Sequence, residues 1–302
     1  MERRFILHML TPGRQMSPFD VNMAVDAGYE VVVPYCDVAT DQVRGLVQDA
    51  IFSRGPKGVA RTGVFIGGRD VVQAVDMLDA ARAAMVPPFE VSVFADPSGS
   101  FTTAAAMVAA TERQLRKAHG TDFTGKRVFV AGGTGPVGRI VALLCEQLGA
   151  SVFIGSHRGA DHAAESADST NARFGGKLAG ADASTAEARR EQLAQSEVVL
   201  ACAAAGVQVI SAEDIAVAGQ KLLVAADVNA VPPEGVAGVG VFDDGKLLPG
   251  TRAVGIGALA IGNIKYKTQN GLFVRMREAG KPQYLSFPEA LALARELVAE
   301  SA

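Results

Sequence analysis

The residues that first suggest chemistry are glycines at the junction of a strand and a helix. Val128-Phe129-Val130-Ala131 reads as a buried strand, Gly132-Gly133-Thr134-Gly135-Pro136-Val137-Gly138 follows, and a helical pattern runs from Val137 to Leu148. Gly133, Gly135 and Gly138 have the spacing Gly-x-Gly-x-x-Gly. Gly133 is expected to permit the tight turn and Gly135 to let the backbone approach a pyrophosphate at the helix N-terminus. Gly138 is expected to let helix and strand pack closely. Thr134, Pro136 and Val137 belong to the same cradle. The chain has 33 glycines, so the spacing alone would carry little weight. The legible strand before it and helix after it make dinucleotide binding the expected role.

A site that prefers NAD usually has Asp or Glu about 20 residues further on, at the end of the next strand, to bond the ribose 2′-hydroxyl. Here Val152-Phe153-Ile154 leads instead into Gly155-Ser156-His157-Arg158. A hydroxyl, an imidazole and a guanidinium suit a 2′-phosphate, and arginine suits that anion best. NADP is the favoured cofactor, with NAD also used.

Three further polar segments follow apolar strands: Met16-Ser17-Pro18-Phe19-Asp20, Ala95-Asp96-Pro97-Ser98-Gly99-Ser100-Phe101-Thr102-Thr103, and Asp227-Val228-Asn229-Ala230-Val231-Pro232-Pro233. In parallel α/β domains ligands gather at the carboxyl ends of strands, where these segments fall. Ordinary turn and cap chemistry is the alternative, with Ser100 as an N-cap and Ser17-Pro18 as a helix start. Pattern alone leaves both readings open. Asn229 is placed with the cofactor residues.

The elements that must position these groups alternate along the chain. Phe5–Leu10, Val31–Val33, Val64–Ile66 and Val91–Ala95 read as strands. Pro18–Asp26, a segment after Thr40, and Asp70–Met85 read as helices between them. That is a βαβαβαβ series and predicts a parallel sheet with helices on both faces. A helix over Ser100–Ala118 leads to a second series, with strands at Val128–Ala131, Val152–Ile154, Val198–Ala201 and Leu222–Ala226. Its helices are Val137–Leu148, one ending near Phe174, and Ala186–Gln195. A Pro- and Gly-rich passage over Val231–Gly257 precedes helices at Ala258–Arg277 and Phe287–Ala299. The expected fold is α/β with two domains. Residues 1–120 form a parallel-sheet domain onto which a C-terminal helix near 280–302 packs back, and 121–279 form a Rossmann-type, doubly wound domain.

Composition narrows the partners. The chain has 302 residues, 49% of them apolar, enough for two cores. A net charge of −3, with no concentration of Lys or Arg, lacks the electrostatic footprint of nucleic-acid binding. The apolar run in the first twelve residues is too short for a signal peptide or a membrane span, so no membrane association and a cytoplasmic location are expected. Cys36, Cys145 and Cys202 lie far apart in apolar or small-residue contexts and read as reduced core thiols. The four histidines show no ligand spacing, so no metal is expected.

Five stretches carry a resemblance across essentially the whole chain: His8–Pro12, Met16–Asn22, Gln48–Arg54, Phe94–Thr103 and Gly255–Lys267. The sequence resembles the bacterial NAD(P)-dependent methylene-tetrahydromethanopterin dehydrogenases of methylotrophs, in particular the branch that accepts either cofactor. The resemblance implies a two-domain subunit with a cleft, methylene-tetrahydromethanopterin as substrate and a homo-oligomer, with trimers expected. The family's active-site threonine falls on Thr103 and its lysine on Lys265. Phe19 and Asp20 match the segment near the pterin, and Asp96 and Ser98 line the turn before Thr103. The Arg-Lys pair of the strictly NADP-linked branch is replaced by Ser156-His157-Arg158, which implies relaxed cofactor choice. A methylene-tetrahydrofolate dehydrogenase is the neighbouring alternative. The Tyr-x-x-x-Lys pair of its bifunctional cyclohydrolase form is missing, since Tyr29 is followed by Val33 and Tyr35 by Ala39. A non-catalytic NADP(H)-sensing module would use the glycine turn but leave Asp96, Thr103 and Lys265 without a role.

Overall fold

The computed structural model describes residues 3–300. The chain divides into two compact units, Met1–Thr102 with Tyr266–Leu293, and Thr103–Lys265 with Ala294–Ala302. This division passes through three helices, whereas the sequence reading set its boundaries in the loops near 120 and 280.

The first unit runs β1 (Ile6–Leu10), α1 (Pro18–Asp26), β2 (Val31–Tyr35), α2 (Val43–Phe52), α3 (Pro56–Val59), β3 (Thr62–Ile66), α4 (Val71–Ala83) and β4 (Ser92–Ala95), after which α5 (Ser100–His119) begins. Its sheet has the order β12-β4-β3-β1-β2, with every pairing parallel. The fifth strand, β12 (Tyr284–Leu285), arrives from the far end of the chain and pairs Tyr284 with Val93. Two residues are too few for any periodicity, and the sequence offered no sign of it. β3 is buried throughout, as a strand covered on both faces should be. β2 corrects the same expectation: Val31–Val33 are only half-buried, because β2 is an edge strand with β1 as its one neighbour. Cys36, just beyond that edge, is exposed rather than a core thiol.

The core of this unit is aromatic. Phe65, Phe94 and Phe273 are fully buried, with ring centroids 5.4 Å apart for the first pair and 5.1 Å for the second. Both pairs meet edge to face, the geometry in which ring quadrupoles attract. Phe273 lies on α10 (Ala258–Glu278), so a helix far along the chain completes the core of the first sheet.

The second unit contains β5 (Arg127–Ala131), α6 (Pro136–Gln147), β6 (Ser151–Ser156), α7 (Ala160–Phe174), β7 (Ala179–Asp182), α8 (Ala186–Gln195), β8 (Val198–Ala201), α9 (Ala212–Ala218), β9 (Val224–Asp227), β10 (Asp244–Leu247) and β11 (Val254–Ile256). The last helix of the chain, α11 (Phe287–Glu300), carries residues of both units. The sheet order is β10-β11-β9-β8-β5-β6-β7, parallel except for the β10–β11 pair. β6 and β7 lie on one side of β5 and β8, β9 and β11 on the other, the doubly wound arrangement with its switch point at β5. Phe129, Leu193, Val199, Ile210, Val236 and Leu248 belong to its buried core.

Sequence reading missed α9, β7, β10 and β11. β7 is Ala-Gly-Ala-Asp, with no β-branched or aromatic residue to announce a strand. Its glycine is required by packing, since a Cβ on Gly180 would lie 2.4 Å from the Ala164 nitrogen on α7.

α9 starts with a reciprocal cap. Ser211 Oγ accepts the Asp214 amide at 3.1 Å, and Asp214 Oδ2 accepts the Ser211 amide at 3.0 Å. Arg190 Nε donates to Asp214 Oδ1 at 2.6 Å. Burial opposes ionisation of Asp214, but the hydrogen bonds from Ser211 and then Arg190 outweigh it and hold the carboxyl below its ordinary range. Its folded pKa is below the unfolded value, so its stabilisation is complete above about pH 4 and is lost as pH falls through the folded value. Asp214→Asn is expected to cost about 1–2 kcal/mol at pH 7, with the melting-temperature gap to the parent closing below pH 4. A gap that stays constant from pH 7 to pH 3 would contradict this account.

Candidate functional site

The glycine turn joins β5 to α6. Gly132, at φ +72°, makes the reversal that the sequence reading assigned to Gly133. Gly133 has a packing role instead: its amide bonds the Gly155 carbonyl of β6 at 3.1 Å, and a Cβ there would lie 2.8 Å from Ile154 Cβ. Gly138 is where helix meets turn, for its Cβ would fall 2.6 Å from Gly133 Cα and 2.9 Å from the Gly132 oxygen. Gly135 differs from both. A Cβ there would meet the protein only at the Gly132 oxygen, 3.8 Å away. Gly135 is also the N-cap of α6, with no side-chain cap, and Pro136 stands at the first helical position. A turn crowded on its inner side and open at Gly135, at the N-terminus of a 12-residue helix, fits a phosphate group.

A cavity of about 540 Å³ adjoins this turn, lined by Gly132, Thr134, Gly135, His157, Ala183, Arg189 and the Cys202–Ala204 and Val207–Val209 segments. This volume is in the usual range for small-molecule sites. Cys202 lines it as well. Burial, with the Asp227 carboxylate second, pushes its thiol up.

Ser156, His157 and Arg158 stand at the carboxyl end of β6. Ser156 is buried, and its Oγ accepts the Arg158 amide at 3.0 Å and lies 2.8 Å from His162 Nδ1. Arg158 Nη1 lies 2.9 Å from His162 Nε2. A guanidinium has donors only, so Nε2 is the acceptor and the proton sits on Nδ1, donated to Ser156. His162 therefore orients both residues, a role sequence reading missed; its place four residues after Arg158, in the first turn of α7, was the available signal. His157 is exposed toward the cavity.

Asn229 is buried, and its side chain ties two loops together. Oδ1 accepts the Gly206 and Val231 amides at 3.1 and 3.0 Å, and Nδ2 donates to the Pro233 carbonyl at 3.1 Å. Asp227, at the end of β9, accepts the Asn229, Gly235 and Val236 amides. Burial pushes its carboxyl up despite these three donors. Together the two residues hold the chain that follows β8 and β9.

In the first unit, the carboxyl ends of β1, β3 and β4 surround a cleft of about 800 Å³, lined by Thr11–Pro18, Asp20, Gly68–Asp70, Gln73 and Ser98. Asp20, in the first turn of α1, is buried and accepts a hydrogen bond from Gln269 Nε2 at 2.7 Å. Phe19 beside it is about half exposed. Ser98 is in the left-handed region at φ 52°, and its Oγ donates to the Gly68 carbonyl at 2.7 Å. Strain of this kind is held only where the surroundings impose it.

Asp96, two residues earlier, caps the helix that this turn enters. The fully buried carboxylate accepts the Phe101 and Thr102 amides at 2.9 and 3.2 Å and the Thr102 hydroxyl at 2.6 Å. It does the capping that sequence reading gave to Ser100, whose Oγ turns back to donate to the Pro97 carbonyl at 2.7 Å. Thr103 follows on α5, and Lys265 sits on α10, both half-buried. Gln269, one turn after Lys265 on α10, was not singled out from the sequence. Among the described residues no group of His, Cys, Asp and Glu could hold a metal ion, and no helix is long and apolar enough to cross a membrane.

Residues 18–98 match a family described as methylene-tetrahydromethanopterin dehydrogenase, N-terminal. Two proteins of Methylorubrum extorquens are similar over nearly the whole chain. One, an NAD(P)-dependent methylenetetrahydromethanopterin dehydrogenase, is 48% identical over 97% of this chain and 99% of its own length. The other, the bifunctional protein MdtA, is 33% identical over 93% of this chain and 94% of its own. Among solved structures, quinate dehydrogenase from Corynebacterium glutamicum in complex with NAD aligns over 99% of both chains with a TM-score of 0.53 and 13% identity. Shikimate 5-dehydrogenase from Listeria monocytogenes aligns over 98% of this chain and 96% of its own, at 0.52 and 14%. At such identities the structural matches speak for the fold alone.

Proposed function

Because the chain belongs to the NAD(P)-dependent methylenetetrahydromethanopterin dehydrogenase family, we propose that it oxidises methylene-tetrahydromethanopterin to the methenyl form with NADP or NAD as acceptor. The observation that carries this reading is the 48% identity that runs through both units rather than through the nucleotide fold alone.

When bound, the nicotinamide supplies a two-electron acceptor at carbon. The substrate's methylene carbon lies between two nitrogens, so the charge left after its oxidation spreads over an N–C–N amidinium. No base has to remove a proton from carbon. The protein's tasks are to bind, to orient and to exclude water that would hydrolyse the product. Gly133, Thr134, Gly135, Pro136, Val137 and Gly138 form the phosphate cradle, and Ser156, His157 and Arg158 face the adenosine ribose. Asn229 holds the wall formed by the segment after β8. Phe19, Asp20, Asp96 and Ser98 serve the pterin, with Asp96 acting through the turn it caps. Thr103 and Lys265 position the reacting groups by hydrogen bonding, with Lys265 as an orienting cation rather than a base. The active protein is a homo-oligomer, taken to be a trimer.

The test is the rise in reduced-nicotinamide absorbance on adding methylene-tetrahydromethanopterin, run in parallel with NADP, with NAD, and with methylene-tetrahydrofolate as the other donor. Turnover with the methanopterin substrate is the expected result. Turnover with the folate alone moves the protein to a folate dehydrogenase, and none with either donor leaves a nucleotide-binding module. A folded Lys265→Ala protein with unchanged turnover removes Lys265 from the site.

A further inference from the structure

Arg189 lies outside the glycine turn and the 156–158 loop, yet it lines the cavity beside them. It lies on α8, and its guanidinium reaches back to the loop after β7, where Nη1 donates to the Ala183 carbonyl at 3.3 Å. Strand register sets what lies next to that point. β6 and β7 pair Ser156 with Asp182, and the Ala183 amide donates to the Ser156 carbonyl at 3.0 Å. The guanidinium is thereby anchored on the residue directly bonded to the start of the Ser156-His157-Arg158 loop. Its Nε is buried and finds no hydrogen-bond partner among the described residues. The Nε atoms of Arg113 and Arg127 are buried without a partner in the same way, so what sets Arg189 apart is its place in the wall of this cavity. Arg158, by contrast, is drawn toward His162. The Asp182 carboxylate at the end of β7 is turned onto the Ser184 amide at 2.8 Å, and Glu187, two residues before Arg189, is the acid that feels its charge.

We propose that Arg189 is a specificity-determining residue that contacts the adenosine 2′-phosphate of NADP from the β7 side, opposite the His157-Arg158 loop. This assignment rests on the cofactor reading above. It also explains how NADP is accommodated without a second cation in the 156–158 loop, since the second cation comes from α8.

The test is calorimetric titration of the whole protein with adenosine 2′,5′-bisphosphate and with adenosine 5′-monophosphate, for the parent, Arg189→Leu and Arg189→Lys. Loss of a charge-assisted contact should weaken the bisphosphate by about tenfold or more in Arg189→Leu, with the monophosphate changed less than twofold. Arg189→Lys should recover part of the difference, and the NADP-to-NAD ratio of KM should rise in Arg189→Leu with kcat preserved. Equal weakening of both nucleotides would overturn the proposal and make Arg189 a residue of the adenine slot. Unchanged binding of both would also overturn it. If the parent binds neither nucleotide, the cofactor reading fails and the proposal falls with it.

Discussion

Gly138→Val is expected to lower NADP affinity by about 100-fold, equivalent to losing one or two charge-assisted hydrogen bonds, and to lower the melting temperature as well. The added Cβ would sit 2.6 Å from Gly133 Cα and 2.9 Å from the Gly132 oxygen. Both are backbone atoms of the turn itself, so they can yield only if the turn opens. Overpacking of that kind costs about 1–3 kcal/mol, roughly 2–4 °C per kcal/mol for a domain of this size. Gly135→Val provides the contrast. The space outside Gly135 is open, with nothing nearer to a Cβ than 3.8 Å, so this variant should melt like the parent and still lose NADP. Melting curves and NADP titrations on the two variants separate a packing glycine from a phosphate-facing one. NADP binding left intact by Gly135→Val would mean that the turn is not the cradle.

Asp96→Ala should destabilise the first unit by about 3–5 kcal/mol, because three donors lose their acceptor in a fully buried place and each unsatisfied group costs about 1–3 kcal/mol. The Thr102 hydroxyl has a fallback in the Gly99 carbonyl at 3.3 Å, which limits the loss. The Phe101 and Thr102 amides lie in the first turn of α5 and gain no acceptor from alanine. Against a usual stability of about 5–15 kcal/mol, the variant would stand near the edge of folding. Asp96→Asn keeps one carbonyl acceptor but turns an NH₂ toward other donors, so it should fall between parent and alanine. Urea unfolding at pH 7 orders the three proteins, and an alanine variant as stable as the parent would show that the cap is dispensable. Turnover should fall further than stability does, since Ser98 and Thr103 flank the capped turn.

Parts of this protein that depend on what a stretch of backbone must do locally were legible in the order of its residues. Pro18–Asp26, Ala186–Gln195 and Val198–Ala201 were read with the bounds they have, because the first opens on Ser-Pro, the second follows a Thr185 cap with a run of strong helix formers, and the third is a short apolar run led by two valines. The glycine turn was legible because close approach of backbone to backbone forbids a side chain, which leaves a trace in residue type. Even there, geometry exchanged two roles: Gly132 makes the reversal and Gly133 packs on Ile154. The exchange of Ser100 for Asp96 as helix cap has the same origin. Both residues can cap, and only the 3₁₀ turn over Pro97–Gly99 decides which one faces the first amides of α5.

What stayed out of reach depends on partners distant along the chain. β12 and Phe273 join the first sheet and its core from nearly 200 residues away, and Gln269 reaches Asp20 across 249 positions. No local pattern encodes such pairs, because the free energy that selects them comes from burial and register once the sheets have formed. Arg189 comes beside Ser156 only through the β6–β7 pairing and the turn at Ala183. Residue types and local spacing thus announced a dinucleotide fold and its phosphate turn, whereas the choice of side chains that meet at the ends of its strands waited on tertiary packing, since nothing short of the assembled sheets brings those residues within hydrogen-bond reach.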